Sequence, residues 1–283
     1  MAPKVYIGSA IWRTVEVAHM AALVPVLRQP GYVYRPQVGD ALIDRARGIS
    51  ATWFLEQSDC DIHLSIDSDI VGFTVEDTQK LCELAMEYDI VGGVYVCRQQ
   101  NETHPATWYM DGEPVVHAFD HTPVEVKFLA TGFMAVHRRV FEALAKTTPM
   151  SALKDKHHFY TFYQPMLYED KEIGDAIELS EDWAFCQRAR NAGFRCYIDP
   201  AIRLGHIGNY IYTLEDMLRE VPPPQPVCVR RDGTYWSVYQ LGSPEEAQAA
   251  KAATKKGDDY SNEWLVRGLS GLPPKKDEAG VEG

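Results

Sequence analysis

Two aspartates, Asp67 and Asp69, stand two residues apart at the end of an apolar run that reads L-S-I-D-S-D-I-V over 64–71. Side chains two positions apart in an extended chain point to the same side. Both carboxylates would therefore lie at the tip of one strand, where they repel each other unless a positive charge lies between them. A divalent cation held against a diphosphate would supply that charge. The alternative is a polar strand end followed by a turn.

A second acidic pair, Glu181 and Asp182, follows Ser180 at the start of a segment with helical spacing. The helix dipole favours acidic side chains in a first turn, so simple capping is one interpretation. The other interpretation makes Asp182 a general base at the mouth of a site. Further along, His206 lies in a glycine-bounded loop, where an imidazole is free to reach a metal ion, although a lone histidine is more often structural.

The segments around these residues alternate between strand-like and helix-like patterns. Strands are predicted at 4–8, 32–36, 61–66 and 90–97, and helices at 15–27, 41–57 and 75–88, the last opened by Thr74 as N-cap. This alternation predicts an α/β fold with a mostly parallel sheet and helices on both faces. Ligands bind such sheets beyond the carboxyl ends of the strands, and the Asp67–Asp69 pair stands at such an end.

The middle of the chain has a weaker pattern. A hairpin is predicted at 106–116, and the aromatic and charged stretch 147–175 is typical of a functional loop or lid. A helix is predicted at 181–192, ended by Gly193, with a strand at 194–198.

Composition limits the class of protein. The chain has 283 residues, of which 46% are hydrophobic and 24% charged, as in an ordinary globular protein. No apolar run is long enough to span a bilayer, so no membrane span is expected. The net charge of −12 argues against broad, non-specific nucleic-acid binding. Six cysteines without a C-x-x-C pair favour free thiols in a reducing cytosol, and hence a cytoplasmic location.

The motifs occur in the order found in a known family. Asp-Ser-Asp at a strand end, Glu-Asp opening a late helix and Gly-His beyond it resemble the GT-A glycosyltransferases, most closely family-2-like bacterial and phage members. The segments F-L-A-T-G-F-M-A-V-H-R-R-V-F-E-A-L and A-F-C-Q-R-A-R-N-A-G-F-R-C-Y-I-D-P are similar to the family as well. The resemblance extends over about 5–208.

The resemblance implies a GT-A domain over 1–210, with a twisted, Rossmann-like, mostly parallel sheet. A C-terminal extension with a helix, a hairpin and a second helix would occupy 211–270, and 271–283 is expected to be a disordered tail. The extension could cover an acceptor cleft or form a homo-oligomer contact.

The resemblance also implies a mechanism. Asp69, with Asp67, and His206 would hold a divalent cation, Mn²⁺ or Mg²⁺, and the mixed carboxylate and imidazole ligands favour Mn²⁺. Asp67 could instead contact the nucleotide. Asp182, next to Glu181, would deprotonate an acceptor hydroxyl for attack on the sugar, with inversion if the attack is a single step.

Further site residues follow from the same resemblance. The donor nucleotide side would comprise Ser9, Ala10, Arg13, Arg47, Asp67, Ser68 and Gly93, and the acceptor or sugar side Thr131, Gly132 and Trp183. Three of these have structural alternatives, since Arg47 could lie on a solvated helix face, Gly93 could pack a helix tightly, and Trp183 could belong to the core. Related chains have asparagine after the arginine, where this chain has Gly48.

The expected function is transfer of a sugar from a UDP- or GDP-sugar to a hydroxyl of a glycan, a protein, a small molecule or a modified DNA base. A DNA acceptor would need a local basic track, for which the candidates are Arg138, Arg139, Arg188, Arg190, Arg230 and Arg231. Two rivals are a sugar nucleotidyltransferase and a non-catalytic nucleotide-sugar-binding module. The nucleotidyltransferase is disfavoured because the loop after the first strand, G-S-A-I-W-R-T, has one glycine and one arginine.

Overall fold

The computed structural model describes residues 2–98, 105–110, 121–154, 157–170, 174–208, 210–214 and 216, and beyond them the backbone of three short strands. The chain divides into two compact units, Met1–Met217 and Leu218–Gly283. The predicted turn at 111–112, the tail 271–283 and most of the two helices predicted beyond 210 lie outside the described residues.

The described part of the first unit contains five helices and seventeen strands. The helices are α1 (Val17–Leu27), α2 (Ile43–Gln57), α3 (Val75–Tyr88), α4 (Arg138–Leu144) and α5 (Glu181–Asn191). The strands are β1 (Val5–Gly8), β2 (Ala10–Ile11), β3 (Tyr32–Tyr34), β4 (Gln37–Val38), β5 (Ile62–Ile66), β6 (Ile70–Val71), β7 (Ile90–Val94), β8 (Trp108–Tyr109), β9 (Val124–Phe128), β10 (Phe133–His137), β11 (Met150–Ala152), β12 (His158–Tyr160), β13 (Met166–Asp170), β14 (Asp175–Leu179), β15 (Cys196–Arg203), β16 (Gly205–Ile207) and β17 (Ile211–Tyr212).

The central sheet has eight strands in the order β3-β1-β5-β10-β7-β15-β9-β8. Three neighbouring pairs are parallel, namely β1 with β3, β1 with β5, and β7 with β15, and the other four are antiparallel. The fold is therefore mixed α/β, and the prediction of a mostly parallel sheet needs correction. The difference lies in β9 and β10, since β10 runs antiparallel to β5 and β7, β9 runs antiparallel to β15 and β8, and the apolar pattern of a strand does not encode its direction.

Both faces of this sheet are covered. Along β1, Tyr6 belongs to one hydrophobic cluster while Val5 and Ile7 belong to another, and alternate residues of a strand point to opposite faces. The first cluster contains Phe54, Phe141 and Phe185 from α2, α4 and α5, and the second contains Leu23 and Leu81 from α1 and α3. Each such buried side chain contributes about 2 kcal/mol by leaving water.

The helix starts agree with local sequence signals. Thr74 is the N-cap of α3, as predicted, and it forms a capping box with Asp77, whose backbone N–H donates to the Thr74 hydroxyl at 3.1 Å. The stretch 147–175 is more regular than predicted, since β11 pairs with β12 and β13 starts an antiparallel pair with β14.

The strand ends determine where a ligand can bind. β1, β5 and β7 run in one direction and end at Gly8, Ile66 and Val94, while β10, which runs the opposite way between β5 and β7, begins at Phe133. The residues that follow β1, β5 and β7 and the residues that precede β10 therefore meet at one edge of the sheet. Strand β6 follows Asp69 directly in the chain. It belongs to a small three-stranded sheet with the order β17-β16-β6.

The second unit is described by the backbone of β18 (Val227–Arg230), β19 (Tyr235–Trp236) and β20 (Trp264–Arg267). β18 pairs antiparallel with both β19 and β20. Among the helices that the structure describes, none is both long enough and apolar enough to cross a bilayer.

Gly93 provides a test of core packing. A Cβ atom at this position would lie 2.8 Å from Leu204 Cδ1 and 3.0 Å from Ile202 Cγ2. We expect Gly93→Ala to lower the free energy of unfolding by about 1–3 kcal/mol, measured by urea denaturation, because the core must shift to admit a methyl group. Ser151→Ala, at an exposed strand position, is the control and should change it by less than about 0.5 kcal/mol. An unchanged urea midpoint for Gly93→Ala would show that the core around Gly93 is packed less tightly than these distances indicate.

Candidate functional site

A cavity of about 510 Å³ opens at this edge of the sheet. It collects residues that lie far apart in the chain, including both acidic pairs and the histidine singled out by sequence. Its lining residues are Ala10, Ile43, Arg47, Asp67, Ser68, Asp69, Tyr95, Cys97, Arg98, Ala106, Ala130, Gly132, Ser180, Glu181, Asp182, Trp183 and His206.

The pairing of β6 with β16 brings His206 beside Asp69. In this antiparallel pair His206 is opposite Ile70, the residue next to Asp69, and the Ile207 N–H donates to the Asp69 carbonyl at 2.8 Å. As a result, His206 Nε2 lies 3.6 Å from Asp69 Oδ2. Gly205 permits this approach of β16 to β6, since a Cβ there would lie 2.9 Å from Val71 Cγ2.

The orientation of the His206 ring suits a metal ligand. Nδ1 lies 2.8 Å from the carbonyl oxygen of Val96. A carbonyl only accepts hydrogen bonds, so Nδ1 is protonated, and Nε2, which faces Asp69, is the ring nitrogen left to bind a cation. Histidines that bind metal ions are held in this manner, with the other ring nitrogen donating to a carbonyl or carboxylate.

The Asp69 and His206 pair fits a divalent cation. Their 3.6 Å separation is smaller than twice a metal–oxygen distance of about 2.1 Å, so one ion can contact both atoms. Burial raises the pKa of the Asp69 carboxyl, but His206 and Arg98 lower it below its ordinary value overall, which keeps it ionised at neutral pH. Within the described ranges no group of three or more histidine, cysteine, aspartate or glutamate side chains is placed to hold a metal, so a ligand or water would supply further oxygens.

Arg47 connects the two acidic pairs. Its Nη1 and Nη2 each donate to one oxygen of Asp67 at 2.8 Å, and its Nε lies 3.5 Å from Glu181 Oε1. The side chain is only 8% exposed. Burial lowers the pKa of Arg47, but the charges of Asp67 and of the Glu181–Asp182 pair raise it well above its ordinary value overall.

These contacts give Arg47 a role within the protein. Its guanidinium binds protein carboxylates and positions Asp67 and Glu181, and its donor-side role stays a prediction. The glycine that follows it also has a local cause, because a Cβ at Gly48 would lie 2.8 Å from the carbonyl oxygen of Tyr160. An asparagine at that position would collide with the strand β12.

Glu181 and Asp182 occupy the first turn of α5 and differ in environment. Burial, followed by the charge of Asp182, raises the pKa of Glu181 above its ordinary value. Asp182 Oδ1 accepts a hydrogen bond from the Trp183 N–H at 2.8 Å and another from the Ser180 hydroxyl. Ser180 therefore orients Asp182 and makes no side-chain cap of its own with the backbone of α5.

Tyr95 and Gly132 form a contact that sequence did not indicate. The Gly132 N–H donates to the Tyr95 hydroxyl at 2.8 Å, and the Gly132 carbonyl accepts from the Asp67 N–H at 2.9 Å. A Cβ at Gly132 would lie 2.5 Å from the Tyr95 oxygen. Gly132 thus lines the cavity and fixes the backbone of Asp67.

Several predicted site residues lie elsewhere. Ser9 and Thr131 are buried and Gly93 packs in the core against Leu204, so none of the three lines the cavity. Arg13 is exposed with its guanidinium 5.3 Å from the ring centre of Trp12 and is absent from the lining.

Trp183, by contrast, both lines the cavity and packs against the hydrophobic core. It lines the cavity and stacks on Phe128 with 5.6 Å between ring centres. Its second neighbour, Trp108, lies 5.2 Å away. Ala10 and Ser68 also lie in the lining.

Arg98 is a site residue that sequence analysis missed. Its Nη1 lies 2.8 Å from Asp69 Oδ2, and it belongs to the cavity lining. The available signal was its place at the end of the predicted strand 90–97, at the same edge as Asp69. Its positive charge alone did not distinguish Arg98 from the other arginines of the sequence.

Three of the four described arginines of the proposed basic track bind backbone carbonyls or a carboxylate of the protein, whereas the fourth, Arg190, lies 3.8 Å from the Met110 sulfur. Arg138 donates to the carbonyls of Cys60, Leu55, Phe54 and Ser58 at 2.7–3.0 Å. Arg139 pairs with Asp89, and Arg188 is half-buried and donates to the Phe162 carbonyl at 3.2 Å. The side chains of 230 and 231 lie outside the described residues.

Comparison with known proteins yields little. No family model and no curated protein matches the chain. Among solved structures the chain is similar to "Crystal Structure of A197 from STIV", at 15% identity over 85% of this chain and 96% of that chain, with a TM-score of 0.48. An identity and a TM-score at that level do not establish a shared fold or function.

Arg47 and Arg45 on helix α2 allow a matched test. We expect Arg47→Gln to lower the free energy of unfolding by about 3 kcal/mol or more, because it leaves Asp67 and Glu181 partly buried without their counter-charge. Arg45→Gln breaks the ion pair of a more exposed arginine, 38% against 8%, with the single carboxylate of Asp40, and should cost less, about 1 kcal/mol. Denaturant unfolding measures both. Equal losses for the two variants would contradict the positioning role of Arg47.

Proposed function

We propose that this protein is a metal-dependent glycosyltransferase that uses a nucleoside-diphosphate sugar. The observation that supports this most is the convergence of Asp67, Asp69, His206 and the Glu181–Asp182 pair in one cavity. The sequence resemblance to GT-A glycosyltransferases supplies the order of these motifs, and the geometry shows that they meet. A chain in which they lay on different surfaces would not support the proposal.

The proposed metal ligands are Asp69 and His206. A divalent cation bound there would neutralise charge on the diphosphate leaving group. Asp69 supplies an ionised oxygen and His206 supplies Nε2, while the Val96 carbonyl fixes the ring. The mixed oxygen and nitrogen ligands favour Mn²⁺ over Mg²⁺.

Asp67 has a separate proposed role. Both of its oxygens accept from Arg47, and its backbone N–H is held by Gly132. This fixed carboxylate is suited to accept hydrogen bonds from a ribose or a base, and Arg47 already supplies its counter-charge. Ala10 and Ser68 lie in the same lining.

Asp182 is the proposed general base and Glu181 its neighbour. Asp182 sits in the cavity lining at the N-terminus of α5, with Oδ1 held by the Trp183 N–H and by Ser180. A carboxylate held in one orientation can accept the proton of an acceptor hydroxyl as that oxygen attacks the anomeric carbon. The family-2 likeness favours inversion in a single displacement.

The rival functions have less support. In a nucleotidyltransferase the segment after β1 would form a glycine-rich phosphate loop, whereas here Ala10 and Ile11 form β2 and pair with Gln37 and Val38. A DNA acceptor is less favoured, because Arg138, Arg139 and Arg188 of the basic track bind the protein itself. A binding module without catalysis would bind the donor but fail the transfer test below.

A thermal-shift screen tests the proposal as a whole. UDP, GDP and their sugars are each added with and without Mn²⁺, and a true donor should raise Tm only when Mn²⁺ is present. At a ligand concentration of about 100 times Kd, mass action stabilises the folded state by about 2.7 kcal/mol. The absence of any Mn²⁺-dependent shift across the nucleotides would refute the proposed function.

The proposed metal ligand Asp69 has a matched control, Asp61, before the other end of strand β5. We expect Asp69→Asn to weaken Mn²⁺-dependent nucleotide binding by about 10- to 100-fold, because a neutral amide is a poor ligand for a hard cation. Asp61→Asn, before β5 and so at the opposite end of that strand, should bind as the wild type does. Isothermal titration calorimetry measures both affinities. Unchanged binding in Asp69→Asn would remove Asp69 from the metal site.

The general base is tested by separating binding from transfer. Asp182→Asn should keep the affinity for the donor with Mn²⁺ and lower the transfer rate by about 10²- to 10⁴-fold, because the amide cannot accept the proton. Release of nucleoside diphosphate in the presence of an acceptor found by screening is the measured rate. The exposed Glu178→Gln is the control. Full turnover by Asp182→Asn would exclude it as the base.

A further inference from the structure

The cavity contains two arginines in its described lining, and their surroundings differ. Arg47 is 8% exposed and both of its terminal nitrogens bind Asp67. Arg98 is 47% exposed, and its contacts are an ion pair with Asp69 and a 3.2 Å hydrogen bond to the Ile207 carbonyl. Arg98 is therefore the arginine of this lining whose guanidinium can change partners without opening the core.

The ion pair of Arg98 competes with the proposed metal site. Its Nη1 lies 2.8 Å from Asp69 Oδ2, and His206 Nε2 lies 3.6 Å from that same oxygen. A divalent cation bound to Asp69 and His206 would bring two positive charges next to a guanidinium. Like charges at such a distance repel strongly in a partly desolvated site. Arg98 must then find another anion or turn to solvent.

The local backbone leaves room for the Arg98 side chain to lie over β16. A Cβ at Gly208 would be 3.2 Å from Arg98 Cδ, so this glycine provides the space in which the arginine stem lies. The stem therefore lies against the end of β16, the strand that carries His206. The guanidinium stands at the proposed metal site and belongs to the cavity lining.

We infer that Arg98 exchanges Asp69 for the diphosphate of the nucleotide when a divalent cation binds at Asp69 and His206. This inference rests on the proposed function. The planar guanidinium matches a phosphate with two parallel hydrogen bonds, each assisted by charge. The same side chain thereby shields Asp69 in the free protein and neutralises the leaving group in the complex.

The exchange makes the binding of cation and nucleotide cooperative. The cation displaces Arg98 from Asp69, which costs an ion pair, and the nucleotide then provides the displaced guanidinium with a stronger partner. Each ligand therefore increases the affinity for the other by the same factor. Arg98 is also a specificity element for diphosphates, because a nucleoside without phosphates has no group for it to bind.

The test uses the full chain and measures two affinities that should change in opposite directions. In Arg98→Ala, Mn²⁺ alone should bind about two- to fivefold more tightly, since the competing ion pair is gone. UDP and GDP with saturating Mn²⁺ should bind about tenfold or more weakly, since a charge-assisted contact to phosphate is lost. Electron paramagnetic resonance of Mn²⁺ and calorimetry give the two affinities.

Two further variants separate this effect from a general loss of positive charge. Arg195→Ala removes an exposed arginine that pairs with Glu125, just before β15 and away from the cavity lining, and should leave both affinities unchanged. Arg98→Lys keeps the charge without the planar fork and should recover part of the diphosphate affinity. Because Arg98 is half-exposed, none of these changes is expected to impair folding.

The failure of this inference is distinguishable from the failure of the proposed function. Suppose that the wild type binds UDP or GDP in the presence of Mn²⁺. If Arg98→Ala then binds the same nucleotide equally well, the exchange is refuted and the glycosyltransferase proposal stands. Weaker binding of Mn²⁺ alone by Arg98→Ala would also refute the exchange. If the wild type binds neither nucleotide with Mn²⁺, both proposals fall together.

Discussion

The buried contacts of Arg47 with Asp67 and Glu181 are the interaction on which the site depends. Four carboxylates converge on one cavity, where desolvation opposes their charge. One guanidinium binds Asp67 through both terminal nitrogens and places Nε near Glu181, so it offsets repulsion between two acidic pairs that the chain separates by more than a hundred residues. Both terminal nitrogens of Arg47 are thereby engaged within the protein, whereas Arg98 is the more exposed of these two arginines in the cavity lining.

The pairing of β6 with β16 has an equivalent importance for the proposed metal ligands. The strands are short, but they place His206 opposite Ile70 and so beside Asp69. The ring is then fixed by the Val96 carbonyl, which follows β7 in the central sheet. Three separate segments thus determine one imidazole orientation, and this agreement among segments is what distinguishes a prepared ligand from a histidine that happens to be nearby.

The two positive side chains at Asp67 and Asp69 explain why the aspartates are not equivalent. Asp67 is held by a buried arginine and by a backbone contact from Gly132, and its position cannot change without disturbing α2 and the connection before β10. Asp69 has an exposed arginine and a histidine as neighbours. The first is suited to recognise a fixed part of a ligand, and the second to exchange one positive partner for another.

The sequence by itself determined several of the elements and the strand end at which Asp67 and Asp69 stand, but not the pairs β11–β12 and β13–β14. The apolar run before Asp67 predicts a buried strand, Thr74 predicts the start of α3, and the acidic pair at 181–182 predicts the start of α5, because these signals are local to a few residues. The tertiary structure alone decided the direction of β10, the partner of Arg47 and the place of Arg98. Those features depend on contacts between segments 20 to more than 100 residues apart, and side-chain type does not encode which distant segment a strand or a guanidinium will meet.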